Sequence, residues 1–224
     1  MAGAGTSILS AYQILVKSTS TLRPQLQQLD TDIFPDGGPC PGQLIEITGN
    51  SNSAKSILLM EIMARAILPP HFGGKDSEVV FFDNDGKFKV PQFVRMLEKI
   101  AVLTGESTDN SEIKEAIEGS LKNLRIFSCY SPEEFHIAVV ALDDLLVDNK
   151  TISMVAVDSL SAFAWLDSEE DDVNLEAHYK KAVEALQTTC QEFHLVGAYT
   201  IPSCYAIKFL GPIIESAGIE SNPK

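Results

Sequence analysis

Short apolar runs alternate along this chain with longer stretches in which apolar residues recur at the spacing of a helix. Several of the short runs are apolar at consecutive positions, which is typical of strands that are covered by helices on both faces of a parallel sheet. Five strands are therefore predicted, over Leu44–Thr48, Val79–Phe82, Leu124–Cys129, Ile152–Val157 and Leu195–Tyr199.

Helical patterns occupy the stretches between the predicted strands. An apolar run over residues 57–68 ends at Pro69 and Pro70, which cannot continue a helix. Pro132 stands where a first helical turn begins, and Glu133 favours the positive end of that helix dipole. The other helical patterns consist of Val90, Phe93, Val94, Leu97 and Ile100, and of Leu175, Tyr179, Ala182, Val183, Leu186, Cys190 and Phe193. This alternation predicts an α/β domain with a doubly wound, mostly parallel sheet and helices on both faces.

The pattern divides the chain into three segments. Residues 1–30 hold a short amphipathic stretch that is broken by a Ser/Thr run and by Pro24, and they are predicted to form an N-terminal arm. Such an arm either covers the sheet, docks on a partner or packs on its own core. Residues 31–210 hold the alternating strands and helices of the core, and residues 211–224 are expected to form a flexible tail because they are rich in turn residues.

Composition excludes some classes of function. The 224 residues include 31 Asp and Glu against 17 Lys and Arg, a formal net charge of -14. Because tight binding to a phosphate backbone needs clustered Lys and Arg, strong direct binding of DNA by this chain alone is not expected. No apolar run is long enough to span a membrane, so no membrane association is expected. The four cysteines form no C-x-x-C pair, which indicates a reducing compartment rather than a zinc site or a disulfide framework.

Residues 49–56 are the main candidate for chemistry. They match the phosphate-binding pattern G-x-x-x-x-G-K-[ST] except that Ala54 replaces the second glycine, and they lie between a predicted strand and a predicted helix. In such a loop, backbone N–H groups hold the phosphates, Lys55 reaches the β- and γ-phosphates, and the Ser56 hydroxyl binds Mg²⁺. The Cβ of Ala54 weakens this binding, and a Ser/Asn-rich turn without a ligand is the alternative. The predicted nucleotide-binding residues are Gly49, Asn50, Ser51, Asn52, Ser53, Ala54, Lys55 and Ser56.

Two acidic residues follow other predicted strands. Asp158 ends the apolar run 154–157 and is predicted to hold Mg²⁺ together with Ser56. Asp85 follows Phe81 and Phe82 and is a candidate catalytic base that would activate water for attack on the γ-phosphate. A plain turn built from Asp, Asn and Gly explains the segment around Asp85 equally well. The cofactors predicted from these residues are ATP and Mg²⁺, bound weakly or not at all.

Together with residues 36–49, which lead into the loop, these segments resemble the ATPase core of the RecA family of recombinases, and most of all its eukaryotic paralogues. The likeness covers roughly residues 30–200, and its most specific stretches are 65–69, 81–85 and 158–167. This resemblance implies a RecA-like P-loop ATPase core.

The departures from the family pattern concern the nucleotide site. The loop glycine of the family is Ala54, and its catalytic glutamate falls on Asp85, which is one methylene shorter. The family's Asn-Gln pair, whose Gln senses the γ-phosphate, falls on Ile201 and Pro202, which offer no side-chain hydrogen bond. Residues 167–172, where the family has a DNA-contacting loop, carry five carboxylates that would repel phosphate. We expect inefficient hydrolysis of ATP and contact with DNA only through a complex.

The resemblance implies a nuclear subunit that supports homologous-recombination repair of DNA double-strand breaks, with the D member of the sister paralogues and its complex as partner. Two hypotheses remain for its activity. In the first, the chain is an assembly subunit with a degenerate ATP site; in the second, it is an active DNA-dependent ATPase with Asp85 as base. A small-molecule kinase is less well supported, because Arg occurs only at positions 23, 65, 95 and 125 and forms no Arg-rich lid.

Overall fold

The computed structural model describes residues 23–30, 32–34, 37–105, 107, 109–163, 172–205 and 213–215 of the chain. Within these ranges the strands form one sheet in the order β3-β2-β4-β5-β1-β6, and every neighbouring pair is parallel. The strands are β1 (Leu44–Gly49), β2 (Glu78–Asp83), β3 (Leu124–Phe127), β4 (Ile152–Asp158), β5 (Val196–Pro202) and β6 (Ile213–Glu215). The α/β fold class predicted from the sequence is confirmed.

Helices connect the strands and cover the sheet. The α-helices are α1 (Lys55–Ile67), α2 (Val90–Thr104), α3 (Asn110–Leu121), α4 (Pro132–Asp148) and α5 (Asp172–Phe193), and Pro70–Phe72 and Ser203–Tyr205 form short 3-10 helices. Asp109 caps α3 through a 2.9 Å hydrogen bond from the backbone N–H of Ser111 to its side-chain oxygen Oδ1. No helix in the described part of the chain is both long and apolar enough to cross a membrane.

The core consists of two apolar layers, one on each face of the sheet. Successive strand residues point to opposite faces, so Ile45 and Ile47 of β1 pack in the layer of α1, α2 and α3. Leu44 of β1 and Val80 of β2 pack in the other layer, with the apolar residues of α4 and α5. Burial on both faces explains why the strand sequences are apolar at consecutive positions.

The described part of the predicted N-terminal arm packs on the core of its own chain. Leu26 and Leu29 are buried in the layer of α1. Arg23 is also buried, and its guanidinium donates hydrogen bonds to three backbone carbonyl oxygens at the C-terminal end of α4 and just beyond it. The acceptors are Leu146 at 2.5 Å, Asn149 at 2.8 Å and Ile152 at 2.7 Å. Residues 1–22 of the arm lie outside the described residues.

Two elements were not among the predicted ones. Helix α3 is mostly polar, with Ile113 and Ile117 as its buried apolar residues, so its hydrophobic pattern is weak. Strand β6 lies within residues 211–224, the segment predicted as a tail, and it pairs with β1 from Glu46↔Ile213 to Thr48↔Glu215. The C-terminal segment therefore contributes an edge strand beside the strand that leads into the candidate loop.

Candidate functional site

The candidate phosphate-binding loop lies at the carboxyl edge of the sheet. Residues 50–54 connect β1 to α1, and together with Lys55 and Ser56 at the start of α1 they border a cleft of about 550 Å³. The same cleft is lined by Asp158 at the end of β4 and by Thr200 and Pro202 of β5. Ligands of open α/β sheets bind outside the carboxyl ends of the strands, so the cleft is where this fold class would hold one.

The loop backbone departs from ordinary geometry at two residues. Both Asn52 and Ala54 have a φ of 63°, in the left-handed region. Asn tolerates this conformation, whereas an alanine Cβ is strained there by about 1–2 kcal/mol. The substituted glycine position therefore does require a positive φ, and the replacement by Ala54 strains the loop at the residue that caps α1.

Lys55 lies within the loop. Its Nζ donates hydrogen bonds to the backbone oxygens of Gly49 at 3.1 Å and Asn50 at 2.8 Å, and it lies 3.5 Å from Ser53 Oγ. The ammonium is thus held over the loop that a phosphate would enter. Binding of phosphate by Lys55 stays a prediction.

The two residues predicted to hold Mg²⁺ are adjacent. The Ser56 side chain hydrogen-bonds Asp158, and Thr200 Oγ1 donates a 2.5 Å hydrogen bond to Asp158 Oδ1. Burial raises the pKa of Asp158 above its usual range, while these two hydrogen bonds act in the opposite direction. A hydroxyl and a carboxylate are ligands that suit Mg²⁺. The described residues contain no group of three or more His, Cys, Asp or Glu side chains that could hold a metal ion.

The segment after β2 combines a turn with a cleft residue. Asp83 makes the turn, because its two carboxylate oxygens accept the backbone N–H groups of Lys87 at 3.1 Å and Phe88 at 3.2 Å. Asp85 borders the cleft and forms a 3.0 Å ion pair with the Nζ of Lys87. The backbone N–H of Asp85 also donates to the Asp158 backbone oxygen at 3.2 Å, which ties the turn to β4. The candidate base is therefore beside the loop, but its carboxylate already has a cationic partner.

The polar residue near the end of β5 is Thr200, whereas the Asn-Gln pair of the family falls on the next two positions. Ile201 is buried in the core, and Pro202 borders the cleft without a side-chain donor. Thr200, which the sequence analysis did not single out, contacts Asp158 instead. Lys87 was also missed, because a lysine in a short polar turn is indistinguishable in sequence from an ordinary solvated side chain. The acidic stretch 167–172 lies outside the described residues except for the backbone of Asp172.

The parallel strand order, the loop after β1 and the acids at the carboxyl edge of the sheet are those of an α/β protein with a RecA-like core. No protein-family model matches the chain. The chain is similar to the DNA repair protein XRCC2 of Mus musculus, with 31% identity over 178 residues that cover 78% of this chain and 61% of the relative. Over the residues that match, the chain is an XRCC2-like paralogue of the RecA family.

Two further relatives share lower identity. The DNA repair protein XRCC2 homolog of Arabidopsis thaliana is 25% identical over 185 residues, which cover 67% of this chain and 50% of the relative. The DNA repair protein RAD51 homolog 3 of Cricetulus griseus is 26% identical over 125 residues, covering 52% of this chain and 34% of the relative. The matched part of the chain thus spans about half the length of the curated relatives.

Proposed function

We propose that this chain is a nuclear recombinase-paralogue subunit that supports homologous-recombination repair of DNA double-strand breaks and acts mainly through assembly of its complex. The observation that carries the proposal is the 31% identity to a DNA repair protein over 78% of the chain. The similarity to a RAD51 homologue and the RecA-like arrangement of loop and acids agree with it.

The proposed partner is a sister recombinase paralogue, the D member of the set, together with its complex. DNA is proposed to meet this subunit only within that complex. The net charge of -14 supports this proposal, because an acidic chain repels DNA phosphates. Most phosphate contacts would then come from a basic subunit of the complex.

The nucleotide site is proposed to bind ATP and Mg²⁺ weakly and to hydrolyse ATP poorly. Bound Mg²⁺ would offset phosphate charge beside Ser56 and Asp158. Three features of the chain oppose turnover. Ala54 strains the loop, Pro202 offers no side-chain donor, and the Asp85 carboxylate already forms an ion pair with Lys87.

An active DNA-dependent ATPase is the second candidate. Lys55 lies in the loop, and Ser56 contacts Asp158, so the groups for phosphate and Mg²⁺ are in place. This candidate requires Asp85 to leave its ion pair and act as the base. Both candidate functions place the chain in the same complex, and they differ only in whether the chain hydrolyses ATP efficiently.

Co-purification from cells of the source organism tests the proposed function. The tagged full chain is expected to bring down a sister recombinase paralogue from nuclear extract, and cells without the chain are expected to lose survival after double-strand breaks. Re-expression of the chain should restore survival. Normal survival of the deleted cells, or absence of any recombinase paralogue from the purified complex, would contradict the proposal.

A further inference from the structure

Lys87 is the second cation in the cleft. Among the described residues that line it, Lys55 and Lys87 carry the only positive charges. Lys55 is held by the carbonyl oxygens of Gly49 and Asn50, whereas the Lys87 side chain is 78% exposed, and its ammonium is paired with Asp85, another residue that lines the cleft. A nucleoside triphosphate carries more negative charge than Lys55 alone offsets.

The backbone that carries Lys87 is fixed although its side chain is exposed. Asp83 is buried and accepts the backbone N–H of Lys87, and Gly86 adopts the positive φ of 63° that the turn needs. The turn is also anchored to β4 through the backbone N–H of Asn84, which donates to the Asp158 backbone oxygen at 2.8 Å. The backbone of Lys87 therefore has a defined place beside the cleft, from which the side chain extends.

The neighbours of Lys87 indicate which part of a nucleotide it would meet. Its Nζ is paired with Asp85, and it also lies close enough to Asp158 to interact with that charge. In P-loop proteins the Mg²⁺ beside an acid such as Asp158 bridges the β- and γ-phosphates, so a cation next to both acids lies at the terminal-phosphate end. Pro202, which also lines the cleft, stands where the family has the Gln that senses the γ-phosphate, and it offers no polar side chain.

We propose that Lys87 is the terminal-phosphate contact of this cleft and makes it prefer a nucleoside triphosphate to a diphosphate. The inference rests on the proposed nucleotide site and adds the residue that selects its ligand. Lys87 pairs with Asp85 in the structure. An exposed ion pair of this kind is weak, so a terminal phosphate can recruit the ammonium. Its contact with phosphate would be charge-assisted and correspondingly stronger.

Calorimetric titration of the full chain with ATP and with ADP, each with Mg²⁺, tests the inference. Lys87→Gln is expected to weaken ATP binding about fivefold and ADP binding less than about twofold. Lys87→Arg keeps the charge and should retain most of the preference for ATP. Lys89→Gln is the matched control, because Lys89 is an exposed lysine two residues away that does not line the cleft, and it should change neither affinity.

Equal loss of ATP and ADP affinity in Lys87→Gln, no loss of either, or the same loss in Lys89→Gln would overturn the assignment. Absence of ATP binding to the unmodified chain at millimolar nucleotide would overturn it as well. That last result would leave the proposed function standing if the chain still co-purifies with a sister paralogue, so the two failures can be told apart.

Discussion

Thr200 at the end of β5 donates a 2.5 Å hydrogen bond to the carboxylate of Asp158 at the end of β4. The two residues follow the register pair Val157↔Tyr199, so the alignment of the two strands sets their contact. A hydrogen bond to a carboxylate is stronger than one between neutral groups. The acid proposed to hold Mg²⁺ is therefore oriented in part by the sheet itself, in addition to its hydrogen bond with Ser56.

Replacing Thr200 by Val should remove this donor while keeping the shape of the side chain. We expect a loss of about 1–2 kcal/mol in the free energy of unfolding at neutral pH, because a largely buried carboxylate loses a charged hydrogen bond. Burial already raises the pKa of Asp158, and loss of a hydrogen bond that lowers this pKa raises it further, so the effect should shrink at acidic pH where the carboxyl is protonated. Urea unfolding at both pH values measures it.

Thr188→Val is the control for this change, because Thr188 is an exposed residue of α5 whose hydroxyl donates to a backbone oxygen of its own helix. It should alter stability by less than about 0.5 kcal/mol at either pH. A Thr200→Val effect that is the same at neutral and acidic pH would show that the contact with Asp158 is not its source.

Glu46 is a buried carboxyl in the middle of the sheet, and its Oε2 accepts a 2.6 Å hydrogen bond from the Tyr199 hydroxyl. Burial raises the pKa of Glu46, with the Tyr199 hydrogen bond acting in the opposite direction. Because the pKa in the folded state lies above the usual value, the contribution of Glu46 to stability is fully present below that usual value and is lost as the pH rises through the folded-state pKa.

Glu46→Gln should remove this dependence, since the amide keeps an acceptor for Tyr199 and does not ionise. The variant is expected to gain stability relative to the unmodified chain at neutral pH and to lose that advantage at acidic pH. Glu98→Gln, at an exposed position of α2, should show no such trend. Unfolding curves measured over the acidic to neutral range test the sign, and a stability difference that grows as the pH falls would contradict it.

Arg23→Met tests whether the segment that begins at Arg23 belongs to the folded unit. The guanidinium bonds three carbonyl oxygens near the end of α4, and its carbon Cζ lies 5.8 Å from the ring centroid of Phe193. Burial lowers the pKa of Arg23 to about 10, which leaves it charged at neutral pH. We expect a loss of about 3 kcal/mol in unfolding free energy, because the helix-end carbonyls lose their donors.

Arg95→Met removes an exposed arginine of α2 and should cost less than about 0.5 kcal/mol. Chemical denaturation of both variants measures the difference. Equal stability of the Arg23→Met and Arg95→Met proteins would mean that the hydrogen bonds of Arg23 do not contribute to holding this segment on the core.

Ala54→Gly should relieve the strain at the cap of α1. Glycine adopts a φ of 63° freely, and after its greater loss of chain entropy a net gain of about 0.5–1 kcal/mol remains. ATP affinity should rise by a few-fold for the same reason. The control Ala141→Gly, on the exposed face of α4, should instead lose about 0.5–1 kcal/mol. Thermal unfolding separates the two, and a loss of stability in Ala54→Gly would rule out strain at this residue.

The fold could be predicted from the sequence because the hydrophobic pattern of its strands and helices involves many residues at once. The five predicted strands lie within one residue of the observed ones at their starts, since consecutive burial on both faces leaves continuous apolar runs. Helix α3 lacks that signal because it packs through few apolar side chains. Strand β6 has only three residues, too few for a pattern to be recognised.

The candidate site could be predicted as far as a local motif defines it. The loop residues, Ser56 and Asp158 come together in the structure because β1 and β4 end at the same edge of the sheet. The contacts of Thr200 and Lys87 with the two acids depend on strand register and on one turn, which no local pattern encodes. Sequence alone therefore identified the loop and the two acids of the candidate site but not the side chains that contact those acids, and the class of ligand stays a prediction.

ATP turnover by the purified complex with its sister paralogue is the most direct test of the central claim, which is that the fold is retained for assembly and not for hydrolysis. We expect no turnover above that of the complex carrying Lys55→Ala, while both complexes assemble equally well. Turnover at a rate typical of RecA-family recombinases, abolished by Lys55→Ala, would contradict it and establish the chain as an active ATPase.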